Sequence, residues 1–325
     1  MTTFICSCCL FVLISFYYYG FNRLLCNDKL TNVVISLILA LTAFKLSSWL
    51  FLLVVYFMII SLLLLGLSRM IKLSLGKIMI IAFSVSLIIN GYGYLNMRDI
   101  VFTKYDISNQ HGKTLALISD LHYPVSMDLA RLENLVYDIN EQAVDMVILA
   151  GDIVDENTSY EDMVACFKVL GELAGPKYMI YGNHETINYR FKKAYTLEDI
   201  AKNLTLNGIY LLDDELIKID DILLYGKHEK EPLPFAKEDY VIMVDHEPND
   251  LKQASKDNVD LHLSGHVHGG QLFPVKWLYD SLHLFDNSYG LKYFGDMISI
   301  NTSGVAGWGF PCKSQGKAEV VLIKL

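Results

Sequence analysis

The sequence predicts an α/β layered fold preceded by an all-α transmembrane segment. Three observations carry that prediction. Hydrophobic residues make up 53% of the 325 positions, and the excess lies in the first hundred, too uneven for one soluble domain. From residue 101 onward, short apolar runs alternate with amphipathic stretches, the signature of strands and helices in layers. Charge breaks at the same place. Residues 1–100 hold seven Lys/Arg and two acids, so the chain's net charge of -9 leaves -14 for residues 101–325. The expected organisation is a membrane anchor over 1–95 and a second domain over 96–325.

Four apolar runs make up the anchor, at 4–21, 30–44, 48–66 and 76–94. Their lengths suit a hydrocarbon core of about 30 Å, the second being the shortest and ending at Lys45. The first run lacks the basic start and small-residue cleavage site of a signal peptide, and further runs follow it. Basic residues in the short loops set the orientation. Arg23 and Lys29 fall in the first loop, and Arg69 and Lys72 in the third with Lys77 at its edge, against Lys45 alone in the second. First and third loops in the cytoplasm give a multi-pass protein of the cell membrane with its C-terminal domain outside; Arg98 and Lys104 oppose this choice. Apart from Lys45 and Lys77 at the edges, no Asp, Glu, Lys or Arg falls in the runs, which favours an anchor over a transport path. Cys6, Cys8, Cys9 and Cys26 lie in or beside the first run, and nothing in the sequence brings Cys166 and Cys312 together, so buried thiols are expected rather than disulfides.

The acidic part reads in order as follows. Strands are expected at 101–108, 114–119, 146–150, 178–181, 209–212, 216–219, 222–225, 241–244, 261–263, 297–301 and 319–324. Helices are expected at 127–141, 160–173, 197–206 and 249–254. The first of these has Leu129, Leu132, Leu135, Val136 and Ile139 on one face. Residues 272–294 remain as a long insert rich in aromatic and Leu residues, among them Trp277 and Phe285. A strongly acidic domain offers no basic face, so nucleic-acid binding is not expected.

Five strand ends deliver polar residues of one kind. They are Asp120 and His122 in Ser-Asp-Leu-His, Asp152 and Asp155 in Gly-Asp-Ile-Val-Asp, and Asn183 and His184 in Gly-Asn-His-Glu. Asp245 and His246 follow, then His266 and His268 in Gly-His-Val-His-Gly-Gly-Gln. In open α/β sheets, sites form at such carboxyl ends. Carboxylate and amide oxygens with neutral imidazoles, and no thiolate, suit Mn, Fe, Zn, Co or Ni. A pair of such ions about 3.5–4 Å apart clamps a phosphoryl group for in-line displacement. One Asp-x-His pair is usually structural. Five in order, each at a strand end, are poorly explained by packing, because buried Asp and His without partners are costly. His111, His228, His262 and His283 match no motif, and His262, inside an apolar strand, is expected to be a satisfied core residue.

In these motifs the sequence resembles the calcineurin-like metallophosphoesterase family, over roughly residues 112–325. It looks most like the membrane-associated bacterial branch ending in Gly-His-x-His-Gly-Gly-Gln, which includes phosphodiesterases and enzymes cleaving the pyrophosphate of a nucleotide-linked diacyl sugar. The resemblance implies a layered β-sandwich flanked by helices and two divalent metal ions as cofactors. Asp120, His122 and His268 would hold the first ion; Asn183, His246 and His266 the second; Asp152 would bridge them. His184 would protonate the leaving oxygen, and Asp155 would orient His184. Glu185 stands where the family often has Asp. The implied activity is hydrolysis of phosphoester or pyrophosphate bonds, chiefly as a phosphodiesterase, on a phosphate-containing small molecule or lipid at the membrane. A phosphomonoesterase and a non-catalytic membrane sensor with a metal-binding domain are the alternatives. The protein-phosphatase branch is disfavoured: its usual Arg residues are replaced by Glu156 after Asp155 and Glu185 after His184.

Overall fold

A computed structural model describes residues 48–107, 112–187, 193–229, 235–236 and 239–325. The apolar runs at 4–21 and 30–44 lie outside the described residues. The chain divides into two compact units, one ending at Leu95 and including Phe310–Cys312, the other comprising Asn96–Gly309 and Lys313–Leu325.

The described helices at the N-terminal side are α1 (Ser48–Ile71) and α2 (Leu75–Arg98). Their apolar stretches, Trp49–Ser68 and Leu75–Arg98, have mean hydropathies of 2.9 and 1.8. At 1.5 Å per residue they are long enough to cross a core of about 30 Å. Leu63, Met70, Ile80 and Ile88 are exposed on them, where a soluble helix would carry polar residues.

The second unit begins with β1 (Val101–Asp106) and β2 (Thr114–Ile118). Helix α3 (Leu129–Asn140) buries Leu132, Leu135, Val136 and Ile139, and the Asp128 carboxylate caps its start by accepting from the Arg131 amide. Then come β3 (Met146–Ala150), α4 (Tyr160–Leu170), β4 (Lys177–Ile180), the one-turn α5 (Asn183–Thr186) and α6 (Leu197–Leu206). Strands β5 (Ile209–Leu211), β6 (Glu215–Ile219), β7 (Ile222–Gly226) and β8 (Tyr240–Val244) lead to α7 (Leu251–Lys256) and β9 (Leu261–Ser264). Helix α8 (Val275–Leu282), β10 (Gly290–Phe294), β11 (Met297–Asn301) and β12 (Glu319–Lys324) close the chain.

The strands form two six-stranded sheets, β1-β12-β2-β3-β4-β5 and β10-β11-β9-β8-β7-β6. Alternation along each strand builds the layers. Leu115 and Leu117 of β2 join Leu224, Ile242, Val244, Leu261 and Leu263 in the core between the sheets. Ala116 and Ile118 point the other way, to Leu132, Leu135 and Phe167 of the helical layer. On the far face of the second sheet, Val241 and Met243 pack on Leu251 and Ala254 of α7. The fold is the expected α/β sandwich of two sheets flanked by helices.

Strands β2, β3 and β4 are parallel neighbours, as are β8 and β9. Their carboxyl ends are the five places where the polar motifs stand. The one-turn α5 and two elements of the insert escape the sequence pattern. The insert 272–294 holds α8 and β10 instead of a long loop. Helix α8 has no buried residue, so it shows no core-facing period; Trp277, Leu278 and Leu282 are exposed on it. His262 of β9 is fully buried as expected, but neither ring nitrogen finds a hydrogen-bond partner among the described residues. It is a core residue, and not a satisfied one.

Candidate metal centre

Backbone shape at the strand ends comes first. Asp120, His122, Asp152, His266 and His268 all have positive φ, between 44° and 69°. Non-glycine residues there are strained, and such strain gathers at functional sites. Glycines let the loops close. A Cβ at Gly182 would collide with the Asp152 carboxylate, and one at Gly265 with Ser119 and Asp120. Only glycine lets the loop after β4 lie against Asp152.

Three side chains meet on one side. The Nε2 atoms of His122 and His268 lie 3.3 Å apart, and Asp120 Oδ1 is 3.5 Å from His268 Nε2. Asp120 and His122 are buried almost completely, and the His266 amide donates to both oxygens of Asp120 at 3.1–3.2 Å. Asp152, His246 and His266 meet on the other side, each trio with its ligand atoms within 4.8 Å of one another. His246 Nε2 stands 3.0 Å from Asp152 Oδ2 without the alignment of a hydrogen bond, while its Nδ1 donates to the Ala150 carbonyl at 2.7 Å. That second bond orients the ring and aims Nε2 inward, as the outer partner of a metal-ligating histidine does. Asn183 joins through its Oδ1, 2.8 Å from His266 Nδ1. Asp152 lies between the groups: its Oδ2 is 3.9 Å from His122 Nε2 and 3.0 Å from His246 Nε2.

The residues present fit divalent cations. Oxygen and imidazole donors converge, buried, with too few protons to satisfy one another. Electrostatics states the same demand. Burial pushes the Asp152 carboxyl up, but the imidazoles of His246, His122 and His184 outweigh it and hold it well below the usual range. Burial pushes His246 down, and Asp152 and Asp120 overcome this to raise it to about 10. Burial keeps His268 at about 3 despite Asp120. A proton on His246 and a divalent cation both place positive charge against Asp152, and they compete for that place.

His184 stands beside both groups, sharing a cluster with His122 and Asp152. Its amide donates to Asp152 Oδ1 at 2.8 Å. Its Nδ1 is 2.7 Å from Glu156 Oε2, a buried carboxylate. Burial lowers the His184 pKa, but the Glu156 bond and the Asp152 charge overcome it, and the net shift is upward. Here the structure corrects the sequence. Asp155 does not orient His184; its Oδ2 lies 3.6 Å from His122 Nδ1. The Asn157 amide donates to the other oxygen of Asp155 at 2.7 Å. Glu156, one residue on, makes the contact to His184 instead, and the sequence offered no signal beyond its not being Arg.

Glu185 is the other residue that sequence reasoning passed over. Its buried carboxylate accepts from the amides of Gly182, Asp152, Ile153 and Val154 at 2.7–3.1 Å. It staples the loop after β4 to the loop after β3 and fixes where Asp152 points. Across the site, Phe285 of the insert stands edge-on to His266, ring centroids 5.7 Å apart, and Tyr279 of α8 supports it at 5.3 Å.

The family model for calcineurin-like phosphoesterases matches residues 113–270, the stretch that supplies every residue of both groups. An uncharacterized metallophosphoesterase of Bacillus subtilis is 30% identical over 203 residues, covering 56% of this chain and 70% of that protein. The chain belongs to the calcineurin-like phosphoesterase family. That family is dinuclear-metal dependent, in keeping with the two groups. An uncharacterized metallophosphoesterase of Helicobacter pylori is 27% identical over 229 residues, 65% of this chain and 59% of that one. A Danio rerio relative, 26% identical and covering 66% of this chain and 53% of its own length, is named a transmembrane protein with metallophosphoesterase domain. This phosphoesterase-family chain spans 49–59% of the length of the first curated relatives it matches.

Proposed function

We propose that this chain hydrolyses phosphodiester or pyrophosphate bonds with two divalent cations, on a substrate of the membrane or envelope. The observation that carries the proposal is the meeting of two ligand groups around Asp152, with His184 against one member of each. In this reading Asp120, His122 and His268 would hold one ion and Asn183, His246 and His266 the other, with Asp152 shared between them. Bound there, the cations supply Lewis acidity at the phosphoryl oxygens and an activated water. The chain's own residues do the rest. Glu156 fixes the His184 imidazole and favours its protonated form, which suits a donor to the departing oxygen. Asp155 supports His122, and Glu185 holds the loop that carries Asp152.

The substrate reading rests on the insert. Trp277, Leu278 and Leu282 expose apolar surface a few residues from Phe285, which touches His266. Exposed apolar patches of this kind mark lipid or partner contact. Basic loop residues and the apolar helices support a multi-pass protein of the cell membrane with this domain outside, and a place in the bacterial branch with the same last motif.

The full-length chain in detergent, loaded with Mn²⁺, tests this against simple diesters, monoesters, nucleotide sugars and lipid phosphates. Turnover of diesters or pyrophosphates above monoesters is expected. Trp277→Ala is expected to reduce lipid turnover about tenfold more than that of a small chromogenic diester. Equal losses remove the lipid reading, and turnover of monoesters alone replaces the diesterase. A reporter enzyme active only outside the cytoplasm, fused after Leu325, is expected to be active.

A further inference from the structure

One aromatic side chain without a place in this chemistry reaches the reacting region. Trp308 stands between Gly307 and Gly309, and its ring centroid lies 5.4 Å from that of His184 with the planes inclined by 46°. His184 stands 5.0 Å from His122, which stacks at 5.2 Å on His268. The four rings form a row. The three imidazoles are buried or nearly so, while Trp308 is half-buried and ends the row on the solvent side.

The backbone of Trp308 is gripped by one side chain. Its amide donates to Gln271 Oε1 at 3.0 Å, and its carbonyl accepts from Gln271 Nε2 at 3.1 Å. A primary amide paired both ways with one residue's backbone fixes its position and its rotation together. Gln271 is buried and holds φ 42°, ψ -54°, a strained conformation for a residue with a side chain. Gly307 admits the amide: a Cβ there would lie 2.9 Å from Gln271 Nε2. The last residue of Gly-His-x-His-Gly-Gly-Gln thus sits in neither ligand group. It docks a tryptophan against the imidazole beside them.

We propose that Trp308 contacts the leaving group of the hydrolysed ester and sets its preferred shape, with Gln271 as its positioning residue. The proposal rests on His184 as the acid. In the reaction the bond from phosphorus to the leaving oxygen breaks and the oxygen of water takes its place. His184 gives its proton to the departing oxygen and regains one from that water. A group receiving a proton from His184 leaves beside the indole. The indole offers flat apolar surface there, which favours leaving groups with a planar or apolar body next to the scissile oxygen over small hydrated ones.

The test uses the full-length chain in detergent with Mn²⁺ and two diesters that differ only in a naphthyl or a methyl leaving group. The ratio of wild-type to variant kcat/KM for each ester cancels its intrinsic reactivity. Trp308→Ala is expected to lower the naphthyl ester about tenfold and the methyl ester less than about twofold, with Trp308→Phe restoring most of the loss. Gln271→Ala is expected to reproduce the same selectivity change, and the double variant to add nothing to Trp308→Ala. Independently of turnover, a non-hydrolysable nitrophenyl phosphonate is expected to quench tryptophan emission in wild type and much less in Trp308→Phe, where Trp49 and Trp277 remain. Equal losses on both esters, or an unchanged quench in Trp308→Phe, overturn the proposal. A wild type that cleaves neither ester yet shows a Trp308-dependent quench keeps the contact and removes the diesterase reading instead.

Discussion

Two places near strand β9 hold buried imidazoles with unpaired nitrogens, and they differ in what faces them. At its carboxyl end His268, with His122 and His246 nearby, each has a ring nitrogen without a hydrogen-bond partner, and all three turn Nε2 toward Asp120 or Asp152. Four residues before His266, His262 is also buried with both nitrogens unpaired, but its register neighbours are Met243 and Ser299, and only Lys227 adds a charge, lowering it further. Imidazoles whose Nε2 atoms gather on carboxylates describe a cation site. An unsatisfied ring facing no carboxylate describes a cost in stability. The first kind should fail in chemistry when changed, the second only in folding.

The largest effect is expected at His184. His184→Ala should lower kcat about 10²–10⁴-fold while the metal content of the purified protein stays unchanged. Normal turnover would strip the site of its proposed acid. Next, the two carboxylates of the loop after β3 should separate by symptom. Glu156→Gln should cost about 10–100-fold in kcat and move the alkaline fall of activity to lower pH, because the negative charge that raises His184 is gone. Asp155→Asn should move that limb less, because the Asp155 charge is the weakest of those raising His184, and should weaken metal retention through His122. An alkaline limb moved as far by Asp155→Asn as by Glu156→Gln would undo the assignment of Glu156.

The smallest effect belongs to His262 and is one of stability alone. Burial, then the Lys227 charge, holds its folded pKa at about 3 against an ordinary 6.5. Below pH 6.5 the unfolded chain takes up a proton that the folded one refuses, so stability falls as pH drops from 6.5 towards 3, by up to about 1.4 kcal/mol per pH unit. His262→Leu should remove that slope in denaturation curves at pH 7 and 5.5. It should also add about 1–3 kcal/mol at pH 7, where two unpaired nitrogens disappear, with kcat unchanged. A steeper loss in acid, or reduced activity, would place His262 in the site after all.

The strand-end residues were legible in the sequence because local rules agree there: an apolar run ends and a metal-type side chain follows, with a glycine at the turn in three of the five. That agreement gave Asp120, His122, Asp152, Asn183, His184, His246, His266 and His268 as a set, and the structure brings them together. Glu156 and Glu185 were not legible as parts of the site. Each acts through a bond across two loops, Glu156 to His184 and Glu185 to four backbone amides, and no one-dimensional pattern records such pairs. Helix α8 was hidden for the opposite reason. A helix with no buried residue carries no inward period for the sequence to display. Gln271 was visible in its motif, but its grip on Trp308, 37 positions away, appears only once the loop is closed.

Metal content decides most directly whether these side chains cradle two cations. Full-length protein loaded with Mn²⁺ or Zn²⁺, desalted, and measured by elemental analysis should hold about two ions per chain in wild type and in His262→Leu, and fewer than about one in Asp152→Ala. About one ion or none in the wild type, or two retained in Asp152→Ala, would contradict a paired centre shared through Asp152.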